Sequence, residues 1–191
     1  MMLVLASGSP RRAAILRSAG MEFVVRCPGS SELHGGKPEE TVVSNAVRKA
    51  RSVPAVEGET VLGADTMVAC LGHVLGKPEA RHDAARMLAL QVKAPQEVYT
   101  GLCLRVGGSG RELTGYEVSR VVMEGDESSI EKYLDTGLWE GKAGGYGIQD
   151  DSQLGVRLAS GEMDNVIGLP MKLLFRLLDL AAYEYPARTP R

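Results

Sequence analysis

The chain lacks most of the features that would mark a secreted, membrane-spanning or nucleic-acid-binding protein. It has 3 cysteines in 191 residues, Cys27, Cys70 and Cys103. They are far apart and odd in number, which fits neither a disulfide framework nor a zinc spacing. The reading is of three buried free thiols in a cytoplasmic protein. His34, His73 and His82 show no metal-ligand spacing, with His73 in a turn. Neither sign of charge dominates: the formal net charge is −2, which argues against a general nucleic-acid binder. No apolar run approaches membrane-spanning length. Residues 3–6 are too short for a signal-peptide core, and no cleavage pattern follows. There is no internal repeat and no low-complexity segment. Also missing are the G-x-x-x-x-G-K-[ST] phosphate loop, the dinucleotide G-x-G-x-x-G, the serine-hydrolase G-x-S-x-G and the zinc H-E-x-x-H.

What is present is an ordinary globular composition, 44% hydrophobic and 24% charged, in a chain long enough to bury a core. Residues 1–183 read as one domain, or one domain with two lobes, and 184–191 as a disordered tail. Short apolar runs predict strands at Leu3–Ala6, Phe23–Cys27 and Val61–Ala64, the last ending at Asp65. Met67–Leu71 and His73–Leu75 read as a hairpin turning at Gly72, and Glu97–Val106 and Glu112–Met123 as a longer antiparallel pair. A last short strand is placed at Gly155–Ala159. Helices are predicted over Arg11–Ala19 with Ile15, Leu16 and Ala19 on one face, from Pro38 to about Ser52, and over Arg81–Gln91. Two more run from the cap Asp126 to about Thr136, and from Pro170 with a leucine stripe. Helices mixed with short buried strands and a long hairpin indicate an α/β fold on a mixed sheet.

The chemistry concentrates in a few places. Leu3–Arg12 is an apolar run, a Ser-Gly-Ser turn and then Pro10, Arg11 and Arg12 at a helix start. Ser9 can be the N-cap and Pro10 the first helical residue, so backbone N–H groups and two arginines would form a compact anion site. Asp65 follows the apolar pair Val61–Leu62, a common position for a general base or metal ligand, although an aspartate there also caps turns. Lys49, Lys77 and Lys142 offer point charges to phosphate oxygens, the last two beside glycine. Glu32 and Asp65 together could hold a divalent ion. These groups suit metal-assisted attack of water on a phosphoanhydride.

Five blocks, LASGSPRR at 5–12, GADT at 63–66, LGKP at 75–78, KAGGYGIQ at 142–149 and NVIGLP at 165–170, occur in an order and spacing that resembles the Maf family of nucleotide pyrophosphatases. The resemblance runs from residue 3 to about 180. It implies an elongated mixed sheet with flanking helices and two lobes around a central cleft. It also implies hydrolysis of a nucleoside triphosphate to the monophosphate and pyrophosphate with a divalent cation, Mg²⁺, Mn²⁺ or Co²⁺. Carried over by motif, Asp65 is the proton acceptor, and Ser7, Arg12, Glu32, Lys49, Lys77 and Lys142 fall on phosphate and metal positions. Arg11, Thr66 and Gln149 fall on the positions that separate substrate classes, and the set resembles the subfamily acting on dTTP and UTP. A homodimer is a further implication. The chain departs from the family pattern at Ser31, Val47, Arg48 and Gly141, and at Glu162–Asp164. The alternatives are a nucleotide-binding sensor or restraint on septum formation with little turnover, and a pyrophosphatase for a modified purine.

Overall fold

The computed structural model describes residues 2–150 and 154–181; the expected tail at 184–191 lies outside them. The chain begins with strand β1 (Met2–Ala6), whose side chains alternate between two buried faces. Leu3 and Leu5 join a cluster with Leu16, Leu62, Leu102 and Leu174, while Val4 and Ala6 join Ala46, Ala50, Val61 and Cys103. A strand covered on both faces reads as a continuous apolar run, which is why it was legible. Helix α1 (Pro10–Ser18) follows with Pro10 in its first turn, then β2 (Phe23–Val25) and α2 (Pro38–Arg51).

Strand β3 (Glu59–Cys70) is longer than expected. It absorbs Asp65, which the sequence placed at a strand end, and continues into the hairpin with β4 (His73–Leu75). The reason is a change of partner. β1 pairs in parallel with β3 up to Ala6↔Gly63, and β4 pairs antiparallel from Val68↔Leu75, so Asp65 sits in the stretch between the two partnerships. His73 therefore belongs to a strand. The turn is made by Leu71 and Gly72, at φ 50° and 77°. Two successive positive φ values are those of a tight hairpin turn.

Helix α3 (Arg81–Gln91) has the predicted bounds, and β5 (Gln96–Val106) and β6 (Glu112–Val122) form the long pair. Helix α4 (Glu127–Asp135) is capped by Asp126, whose carboxylate accepts the Ser129 N–H at 2.8 Å. The last strand, β7 (Arg157–Ser160), lies slightly beyond its predicted place. A short helix α5 (Met163–Ile167), too brief to show a period, was not foreseen, and α6 (Met171–Leu180) carries the leucine stripe. Among the described residues seven strands form a mixed sheet in the order β2-β1-β3-β5-β6-β7, with β4 on β3.

The chain divides into two compact units. The first comprises the described parts of Met1–Asp65, Thr100–Glu117 and Gly168–Arg191; the second comprises Thr66–Tyr99 and Val118–Ile167. The second has its own core, with Val68, Leu75, Leu88, Val98, Val121 and Leu134. Among the described residues no helix is long and apolar enough to cross a membrane. Cys70 and Cys103 are buried free thiols as expected, but Cys27 is exposed. β2 stops at Val25, two residues earlier than predicted, so Cys27 falls in the loop beyond the strand.

Candidate functional site

In the first unit α2 carries two rows of buried residues at a four-residue period. Val42, Ala46 and Ala50 are the apolar row; Thr41, Asn45 and Lys49 are the polar one. The helix can approach the sheet closely because two strand positions opposite it are glycine. A Cβ on Gly63 would fall 2.1 Å from the Ala46 carbonyl oxygen, and one on Gly101 would fall 2.5 Å from the Val42 carbonyl carbon. That approach brings Lys49 to Asp65.

The Lys49 ammonium, on a residue only 7% exposed, donates to Asp65 Oδ1 at 2.5 Å and to Glu32 Oε1 at 2.8 Å. The sequence set this lysine apart for phosphate and the two carboxylates for metal; the structure joins all three. Asn45 donates to the other Asp65 oxygen, Oδ2, at 2.9 Å. The loop carrying Glu32 is fastened to the same helix face by its neighbours. Asn45 bonds both backbone groups of Leu33, and Arg48 donates to the Ser31 carbonyl and hydroxyl at 3.2 and 3.1 Å. Residues 45, 48 and 49 share one face by helical spacing. Ser31 and Arg48, two of the departures from the family pattern, thus face each other.

The turn before α1 contributes a second cation. Arg12 is buried; its Nε donates to the Gly168 carbonyl at 2.8 Å and its Nη1 to Ser7 Oγ at 3.1 Å. The Ser9 N–H donates to the same hydroxyl at 3.2 Å, so Ser7 closes the turn from within. Ser9 occupies the cap position, but its side chain makes no capping bond. Burial lowers the Arg12 pKa from its ordinary value; the charges of Asp65 and Glu32 raise it, and that of Arg11 lowers it. Arg11 is half-buried. This group therefore sets Arg12 and Lys49 near the carboxylates of Glu32 and Asp65, with the charge of Arg11 beside Arg12.

In the second unit Thr66 follows Asp65 on β3 and is half-buried, while Lys77 and Gln149 are exposed. Lys142 opens a tight turn in which Gly144 and Gly145 both have positive φ, 72° and 74°, which favours glycine. Its ammonium lies 2.7 and 2.5 Å from the two oxygens of Asp150. Asp150 also accepts from the Tyr133 hydroxyl at 2.6 Å and the Gly147 N–H at 3.0 Å. Sequence reasoning missed Asn45 and Asp150. No motif announced either, and only the four-residue step from Asn45 to Lys49 could have pointed to the former.

Among the described residues no group of three or more histidine, cysteine, aspartate or glutamate side chains could hold a metal. The two carboxylates drawn to Lys49 are oxygen donors, the type that Mg²⁺ takes one or two at a time, alongside phosphate oxygens.

Residues 2–181 match the family described as Maf-like protein. A protein named dTTP/UTP pyrophosphatase from Thermococcus gammatolerans is 42% identical over 180 residues, covering 94% of this chain and 96% of its own. Proteins of the same name from Rhodopirellula baltica and Anaeromyxobacter dehalogenans are 38% and 40% identical. These cover 93% and 98% of this chain, and 81% and 98% of their own.

Proposed function

The chain belongs to the Maf family, and from that premise we propose that it hydrolyses dTTP and UTP to the nucleoside monophosphate and pyrophosphate. The observation that carries the proposal is the buried Lys49 ammonium shared by Asp65 and Glu32. It draws two carboxylates close together in a group that is rich in cations.

In the proposed reaction a water oxygen attacks the α-phosphorus. A new P–O bond forms, the bond from that phosphorus to the bridging oxygen breaks, and pyrophosphate leaves. Asp65 takes the proton of the attacking water. Lys49 holds Oδ1 of that carboxylate, at 2.5 Å, so the proton acceptor is fixed before substrate arrives. Arg12, held at its Nε and one terminal nitrogen, and Arg11 counter the charge of the triphosphate and of the departing pyrophosphate. Ser7 orients Arg12. By their motif positions Lys77 and Lys142 would make further phosphate contacts, and Thr66 and Gln149 would meet the base. An amide offers both donor and acceptor to the edge of a pyrimidine.

Glu32 and Asp65 are the residues that would hold a divalent cation, and their hard oxygen donors fit Mg²⁺ or Mn²⁺. Bound there, it would neutralise triphosphate charge and favour attack at phosphorus. The unpaired cysteines suit a reducing compartment, and the cytoplasm is the proposed location.

The test is pyrophosphate release from a panel of nucleoside triphosphates with Mg²⁺, Mn²⁺ or Co²⁺, for the wild type and Asp65→Asn. Release from dTTP and UTP that the mutant loses supports the reading. Tight nucleotide binding without release under any metal makes the protein a sensor instead.

A further inference from the structure

The chemistry above leaves one buried polar residue of the group without a role. Asn45 is 1% exposed in the middle of α2. Asparagine is a poor helix former, and a buried amide is costly unless its hydrogen bonds are made. Here they are made to two targets only. Its Oδ1 accepts the Leu33 N–H at 2.7 Å and its Nδ2 donates to the Leu33 carbonyl at 3.1 Å, so the side chain pairs with the loop as a peptide group would. The second Nδ2 hydrogen goes to Asp65 Oδ2 at 2.9 Å.

The carboxylate of Asp65 is thereby gripped at both oxygens from one helix. Lys49 holds Oδ1 and Asn45, one turn earlier, holds Oδ2. A single contact leaves a carboxylate free to rotate about its last bond; two contacts from a rigid helix fix its plane. The same amide seats Leu33, and with it the adjacent Glu32. Neither a leucine nor an aspartate at this position could do both, since each lacks the donor.

We infer that Asn45 is a positioning residue for the hydrolysis: it fixes the plane of the Asp65 carboxylate toward the attacking water and docks the loop that carries Glu32. The inference rests on the reading of Asp65 as proton acceptor.

The test uses the full chain with Asn45→Leu, which keeps the branching and the number of side-chain heavy atoms, and Asn45→Asp, close in shape and still able to accept the Leu33 N–H. Melting curves establish that the variants compared are folded. With dTTP, kcat is expected to fall about ten- to a hundredfold, as for a small misplacement of a reacting group, while KM stays within about threefold. In an Asp65→Glu background, where the carboxylate is already displaced, Asn45→Leu should cost less than about threefold, because residues acting as one unit are not additive. A merely structural residue would give the same loss in both backgrounds, and that result overturns the inference. So does a kcat within about twofold of wild type in both folded variants, on the same reasoning. Asp65→Asn, assayed alongside, separates the two failures. If it retains turnover, the catalytic reading falls and the positioning role with it. If it is inactive while the Asn45 variants turn over normally, only the positioning role falls.

Discussion

Lys142 and Asp150 form a closed ion pair, with the ammonium bonded to both carboxylate oxygens and the two side chains 13% and 14% exposed. Lys142 is therefore already engaged by the protein, and a triphosphate that recruits it competes with Asp150. Asp150→Asn removes the competing charge. The KM for dTTP should fall about two- to fivefold, the scale of a partly screened ion pair. Lys142→Met removes a charge-assisted contact and should raise KM about tenfold or more. Initial rates of pyrophosphate release over a range of dTTP measure both. A KM that rises in Asp150→Asn would show that Asp150 aims Lys142 at the phosphate.

The Lys49 bridge should matter to stability as well as to turnover. Lys49 and Asp65 are 7% and 4% exposed, so removing the cation leaves the buried Asp65 carboxylate without its bonded counter-charge, beside the half-buried Glu32. Lys49→Met is expected to lower the unfolding free energy by about 3–5 kcal/mol, the usual cost of breaking a buried pair from one side. Glu32→Gln on top of it should restore part of that loss by removing one of the stranded charges. Urea denaturation of the single and double variants decides this; equal loss in both would mean that Glu32 bears no part of the repulsion.

The features legible from sequence were those set by local chemistry. The apolar spacing of Ala84, Met87 and Leu88 bounded α3, the Asp126 carboxylate announced its own capping bond, and Gly72 marked the hairpin. Asp65 stood out because a buried strand leads into it. What was not legible depends on partners distant in sequence. That β3 continues through Asp65 follows from the handover between β1 and β4, which no local pattern records. Asn45 lies on a helix, where polar residues are assigned to solvent. It is buried because the glycines at 63 and 101 let the whole helix settle onto the sheet, taking its polar row along. Asp150 lies in a polar stretch, and only the folded turn at Gly144–Gly145 returns it to Lys142.

Those glycines make a prediction of their own. A Cβ on Gly101 would lie 2.5–2.7 Å from the backbone atoms of Val42 and Val43. Neither Gly63 nor Gly101 has a positive φ, so the constraint is steric and not conformational. Backbone cannot rotate aside as a side chain can, so in Gly101→Ala the helix itself must shift. Overpacking of this kind costs about 1–3 kcal/mol. Because α2 also carries Asn45 and Lys49, kcat should fall together with the urea midpoint. Full activity in a destabilised Gly101→Ala protein would show that the helix shifts without disturbing Asp65.

The three cysteines should separate by reactivity. Burial pushes the Cys103 thiol up to about 12, aided by the charge of Glu112, and raises that of Cys70; Cys27 is exposed. The thiolate is the reacting form, and at pH 8 a thiol at about 12 is ionised in about one molecule in ten thousand. Iodoacetamide at pH 8 should therefore label Cys27 alone, with Cys70 and Cys103 reacting only after unfolding, as mass spectrometry of the digested protein would show. The same shift sets a pH dependence. A thiol raised in the folded state favours folding fully at pH values below its unfolded pKa. That contribution fades as the pH climbs from about 9 toward about 12, because the unfolded chain ionises first. Urea midpoints should drop across the alkaline range in the wild type and drop less in Cys103→Val, which keeps the buried volume without the titrating group. Identical alkaline profiles would mean that other groups, and not this thiol, govern the loss.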